Sequence, residues 1–168
     1  IMDGLVGSEM CIRDRSQKGA SNTVIDAGYQ GRHFNMEIDP NTSMDSTFQF
    51  IGLTFKGGRS NDRGGSFVIE SYSSGFSGGG HPITRPKFVD CIFRDNAAGN
   101  SSSNNSSYGE GGAIYSGNAN PIFENCVFDS NYATSGGAIY LSGNPESVAY
   151  TPTYIRNSKF TDNSASDG

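Results

Sequence analysis

The sequence predicts an all-β solenoid, and three observations carry that expectation. They are a turn-rich composition, an apolar segment that recurs with fixed spacing, and a second recurring motif built on a glycine pair. Of 168 residues, 23 are Gly, 24 Ser and 15 Asn, with three Leu and no Trp. Amphipathic helices tolerate Gly poorly and need long Leu-, Ala-, Glu- and Lys-rich stretches, so a helical bundle is excluded. No run of about 18 apolar residues exists that could cross a membrane as a helix. Eleven Phe and eight Tyr with only 17% charged residues separate the chain from disordered sequences. The formal net charge of −5 argues against a nucleic-acid partner, which needs a basic face.

Four segments superimpose without gaps: Phe50 to Phe55, Phe88 to Phe93, Phe123 to Phe128 and Ile155 to Phe160. Their shared pattern is an apolar residue, two variable residues, a Leu, Cys or Ser, one variable residue, then Phe. The closing Phe recurs at periods of 38, 35 and 32 residues. Asn96, Asn131 and Asn163 follow it by three residues, with Gly58 in the first copy, and Ala98, Ala133 and Ala165 follow by five. The motif GGAIY occupies Gly111–Tyr115 and Gly136–Tyr140, with Gly64–Val68 a looser relative. Periods of about 20–50 residues mark solenoids and arrays.

Each unit holds short apolar alternations between turn signals, which fits two or three strands per turn of a parallel β-helix. Equivalent residues then stack at about 4.8 Å, one strand spacing. Phe55, Phe93, Phe128 and Phe160 are expected to form an aromatic ladder in the bore. Leu53, Cys91, Cys126 and Ser158 form a ladder of smaller side chains beside it. Asn96, Asn131 and Asn163 are placed where the chain leaves the strand, in a left-handed conformation, with amides bonded from coil to coil. The spacing of three between Phe88 and Cys91 requires a bend between them. Cys91 and Cys126 point the same way from stacked positions, so free thiols are expected rather than a disulfide. No CxxC or Cys/His cluster suggests zinc.

The combination FxxCxFxxNxA followed by GGAIY resembles the right-handed parallel β-helices of the pectin-lyase-like superfamily. Within it, the likeness is to repeats of polymorphic outer membrane proteins and related bacterial surface proteins. It covers about residues 22–168 and implies a right-handed β-helix of four to five coils. Residues Leu5 to Arg15 (LVGSEMCIRDR) resemble a translated transposon-type sequencing adaptor. Residues 1–15, with Cys11, are therefore expected to lie outside the fold, and 16–168 to form a partial β-helix domain cut at both ends.

Lyases of this superfamily use Arg or Lys bases with Asp-bound calcium, and its hydrolases use clustered Asp residues. Asp95 and Asp162 are the carboxylate candidates for such a site, at equivalent positions interrupted by Ser130; calcium is implied only on the lyase reading. Asp90, Asn125 and Asn157 form a mixed polar row, and His81 lacks an assignable partner. Ser71–Gly80 and Ala97–Gly111 read as low-complexity insertions, the latter with N-x-S matches at Asn100 and Asn104. Two functional readings follow. The first is a non-enzymatic secreted or cell-surface repeat protein, a stalk or adhesin on the outer surface whose partners are a polysaccharide, a host or cell surface, and flanking coils of the same chain. The second is an extracellular polysaccharide lyase or glycoside hydrolase.

Overall fold

Each repeat alternates strands of two to five residues with tight corners, and the corners decide the shape. The computed structural model describes residues 13–38, 43–71, 84–99, 109–143 and 152–167. Four parallel sheets run along the axis. The first stacks β1 (Arg13–Arg15), β4 (Gln49–Ile51), β8 (Lys87–Val89), β12 (Ile122–Glu124) and β16 (Tyr154–Arg156). The second stacks β2 (Val24–Asp26), β5 (Thr54–Lys56), β9 (Ile92–Arg94), β13 (Val127–Asp129) and β17 (Lys159–Thr161). The third holds β6 (Arg59–Ser60), β10 (Ala97–Ala98), β14 (Tyr132–Ala133) and β18 (Ser164–Ala165). The fourth holds β3 (Phe34–Ile38), β7 (Phe67–Ser71), β11 (Ile114–Gly117) and β15 (Ile139–Ser142).

The molecule is thus a parallel β-solenoid of about three complete turns, β4–β7, β8–β11 and β12–β15, with partial turns on either side. This corrects the expected coil count of four to five and the expected two or three strands per turn. The extra strands are the two-residue strands of the third sheet. Among the described residues the only helix is one 3₁₀ turn, Ala20–Asn22. β1 pairs with β4 in parallel but exposes all three side chains and adds nothing to the core.

Two single-residue corners explain how one repeat turns. Gly52, Asp90, Asn125 and Asn157 join the first sheet to the second with φ of 65°, 53°, 55° and 49°. Gly57, Asp95, Ser130 and Asp162 join the second to the third at 65°, 55°, 55° and 52°. A residue in the left-handed region redirects the chain within one step, which a Cβ-branched side chain resists. The Phe88-to-Cys91 spacing of three follows directly, since Asp90 is the corner and Phe88 and Cys91 both face inward on either side of it. The left-handed position is the residue before each ladder Asn, not Asn96, Asn131 or Asn163 themselves, and this corrects the expectation for those three.

The bore contains two aromatic columns. Phe55, Phe93, Phe128 and Phe160 stack with centroids 5.3, 4.9 and 4.8 Å apart, close to the strand spacing. Phe50, Phe88 and Phe123 form a second stack at 5.2 and 5.1 Å. The columns meet edge to face, as in Phe50–Phe55 at 88° and Phe123–Phe128 at 77°. That arrangement sets ring edges against ring faces, which the aromatic quadrupole favours. Phe67, Ile114 and Ile139 close the bore from the fourth sheet. Leu53, Cys91 and Cys126 fill the corner between the first two sheets, and Ser158 continues the column by accepting the Cys126 N–H at 3.1 Å.

The GGAIY glycines are steric necessities. Gly111 has φ of 73°, and a Cβ on Gly112 would lie 2.7 Å from the Tyr132 backbone and nearer still to the Gly137 carbonyl. The pair lets the fourth sheet's lead-in press backbone to backbone against the third. At the far end the stack is open. Ile155, Phe160 and Leu141 are exposed there and line a cleft of about 490 Å³ with Ile139, Ala138 and Asn163.

Phe128 is fully buried between Phe93 and Phe160, whereas Val127 points outward and is partly exposed. Phe128→Ala should therefore destabilise by about 3–5 kcal/mol, because a narrow bore has little freedom to collapse around the cavity. Val127→Thr should cost less than about 1 kcal/mol. Denaturant unfolding curves for the two variants check the face assignment, and equal losses would contradict it.

Candidate functional site

The strongest polar arrangement inside the fold is a column of buried amides. Asn96 Nδ2 donates to Phe55 O at 3.2 Å and to Asn131 Oδ1 at 2.9 Å. Asn131 Nδ2 repeats the pattern with Phe93 O at 3.0 Å and Asn163 Oδ1 at 2.9 Å. Each Asn oxygen also accepts a backbone N–H from the preceding coil: Gly58 at 2.8 Å, Asn96 at 3.1 Å and Asn131 at 3.1 Å. Asn96 and Asn131 thus satisfy groups in the coil before them and bond the Asn of the coil after. Their amides are spent on backbone and on the column, so they hold the turn and present nothing to a ligand, while Asn163 ends the column at the open cleft.

His33 closes this column at its first coil. A Cβ on Gly58 would run into the Gly65 carbonyl oxygen and lie 2.9 Å from both Asn96 Oδ1 and His33 Nδ1, so backbone and imidazole together leave no room for a side chain there. The ring bonds Ile25 O through Nε2 at 3.0 Å and Ser66 Oγ through Nδ1 at 3.0 Å, and meets the Phe55 ring at 73°. Since Ile25 O can only accept, Nε2 carries the proton and Nδ1 accepts from Ser66. Burial pushes the imidazole below its ordinary value, against the opposing pull of the Ile25 and Lys56 carbonyls and of Asp26.

The carboxylate candidates do not converge. Asp95 and Asp162 are corner residues in the left-handed region, and the Ser130 coil lies between them. Short polar side chains suit that conformation, so the row has a backbone reason for its composition. In the neighbouring row, Asn125 Nδ2 donates to Asp90 Oδ1 at 3.1 Å. No group of three or more His, Cys, Asp or Glu side chains that could hold a metal occurs among the described residues. Cys91 and Cys126 are buried free thiols, and the Cys91 thiol beside Cys126, together with burial, pushes Cys126 far up. His81, Asn100 and Asn104 lie outside the described residues, as does most of both insertions.

Sequence reading overlooked an ionic cluster outside the fourth sheet. Arg63 bonds Glu70 Oε1 at 3.3 Å and Glu110 Oε2 at 3.2 Å, and its guanidinium lies 4.7 Å from the centre of the Tyr115 ring. Tyr115 stacks on Tyr140 at 6.0 Å and is almost wholly buried, which pushes its phenol up. Beside it Arg32 reaches Asp62 at 2.6 Å and Ser60 at 2.7 Å, and Ser60 bonds Asp62. A signal was present: Arg63, Glu110 and Ser135 each precede a Gly-Gly pair and pair by isolated parallel bridges. Opposite charges at one repeat position therefore stack in adjacent coils.

Residues 90–117 and 125–142 match the Chlamydia polymorphic membrane protein (Chlamydia_PMP) repeat. The two stretches are similar to polymorphic membrane protein repeats. Each match begins at a corner, Asp90 or Asn125, and runs through the Phe, Asn and GGAIY positions to the fourth-sheet strand. The repeat is therefore one coil from the second sheet onward, with its defining residues those that stack. No curated protein and no solved structure matches the chain.

Burial of neutral His33 ties stability to pH. The unfolded chain takes up a proton on this residue near its ordinary value of about 6.5, before the folded chain does. His33 thus contributes stability that is complete above about pH 6.5 and declines as pH falls below it. Urea midpoints measured from pH 7.5 to 5.0 should drop more steeply for the native chain than for His33→Gln. Parallel pH profiles would contradict the assignment.

Proposed function

We propose that the chain is a surface-associated repeat module of the polymorphic membrane protein kind, whose solenoid serves as a non-enzymatic adhesive stalk or platform. One observation carries the reading. The repeats that resemble that family are built from stacked Phe, Asn and Gly positions, and the carboxylates an enzyme would use are left-handed corner residues in separate coils. Such a rod displays its outward side chains in rows one strand spacing apart, a regular surface for a polysaccharide or a host-cell surface. Location on the outer surface of a bacterial cell follows from the same likeness and belongs to this proposal.

The experiment uses Asp95→Gly and Asp162→Gly, which suit the left-handed φ at both sites. Both variants should fold with stability near that of the native chain. Neither they nor the native protein should release unsaturated or reducing ends from pectin, alginate or other uronans. Turnover by the native chain that vanishes in either variant would establish the lyase or hydrolase reading instead.

A further inference from the structure

On the outer surface of the first sheet, two arginines share one aromatic ring. The Arg156 guanidinium lies 4.6 Å from the centre of the Tyr154 ring, and that of Arg85 lies 5.2 Å from it. Arg85 spans the intervening coil to get there, since Tyr154 pairs in register with Ile122 and Ile122 with Lys87. Neither arginine has a carboxylate partner among the described residues. The carboxylate in register with Arg156, Glu124, is engaged by Lys87 at 2.8 Å. Arg85 also holds its Nε–H away from solvent with no acceptor among the described residues. Arg59 and Arg94 likewise make no ion pair among the described residues, but neither stacks on an aromatic ring, so the shared ring is what sets this pair of cations apart.

We propose that Arg85, Tyr154 and Arg156 form a binding subsite for the sulfate or phosphate ester groups of an anionic polysaccharide. The proposal rests on the reading of the module as a non-enzymatic binding platform. A guanidinium carries five donors in a fixed fork and no acceptor, so two of them on one ring suit a ligand rich in oxygen acceptors. An ester sulfate or phosphate presents three such oxygens, a carboxylate two. The ring holds both forks by cation–π contact, which lowers the ordering cost when the ligand arrives. A linear glycan fits because the site lies on a sheet surface rather than in a closed cavity, and neighbouring coils continue that surface.

The test measures binding of the full chain to dextran sulfate, phosphorylated dextran, carboxymethyl dextran and unmodified dextran of equal length. Dextran sulfate or phosphorylated dextran should bind, and the tighter of the two identifies the ester. Arg85→Gln and Arg156→Gln should each weaken that binding about tenfold or more. Arg156 is exposed, so its substitution guards against a folding defect. Arg59→Gln, an exposed arginine on the third sheet, should leave binding unchanged. Equal affinity for carboxymethyl dextran, an equal loss with Arg59→Gln, or undiminished binding by both ring-site variants would overturn the proposal. Shortening of the bound dextran chains would instead overturn the non-enzymatic reading while the arginine dependence still reports on the site.

Discussion

Parallel coils at one strand spacing force each inward side chain to contact its equivalents above and below. Everything else in this molecule follows from that constraint. Phe93 touches Phe128 because both occupy the same step of successive coils, and the 4.9 Å between their rings is the backbone spacing carried into the core. A residue is tolerated inside only when it packs well against a copy of itself or a close substitute. Phe does so by stacking, Cys by its small size, and Asn by donating with its nitrogen to the oxygen of the next.

The Asn column shows the constraint most sharply, because buried amides are costly unless both their polar atoms are answered. Here each coil answers the one before it. The bonds reach two kinds of partner: the neighbouring Asn and the backbone beside each aromatic ring, at Phe55 O, Phe93 O and Phe128 O. Aromatic and amide columns are thereby locked in the same register, and a slip of one residue would break both. The ends lack this reciprocity. At the first coil the Gly65 carbonyl and an imidazole take the space and Gly replaces Asn, whereas at the last described coil Phe160 and Ile155 continue the inward columns but are exposed, with no described coil above them.

Features repeated in the sequence were the legible ones. Recurrence of Phe, Asn and the glycine pair at common offsets pointed to a parallel solenoid, because stacking leaves its mark as like residues at like positions. The corners were less legible. Gly52, Asp90, Asn125 and Asn157 share a backbone conformation but not a residue type, and Ser130 masks the row it shares with Asp95 and Asp162. Counting strands failed for a related reason: two-residue strands such as Ala97–Ala98 are too short to show an alternation. The Arg63 cluster was missed because its partners differ in charge from coil to coil, and a search for likeness passes over complementarity.

Outward rows carry the variation and inward columns the fold, so the claim that matters most is that the Asn column is a continuous, fully bonded element. Native-state hydrogen exchange of side-chain amides, followed by NMR, tests it most directly. The Nδ2 protons of Asn131 should exchange only through global unfolding, while those of exposed Asn157 exchange at the rate of a free amide. Exchange of Asn131 as fast as that of Asn157 would contradict the account.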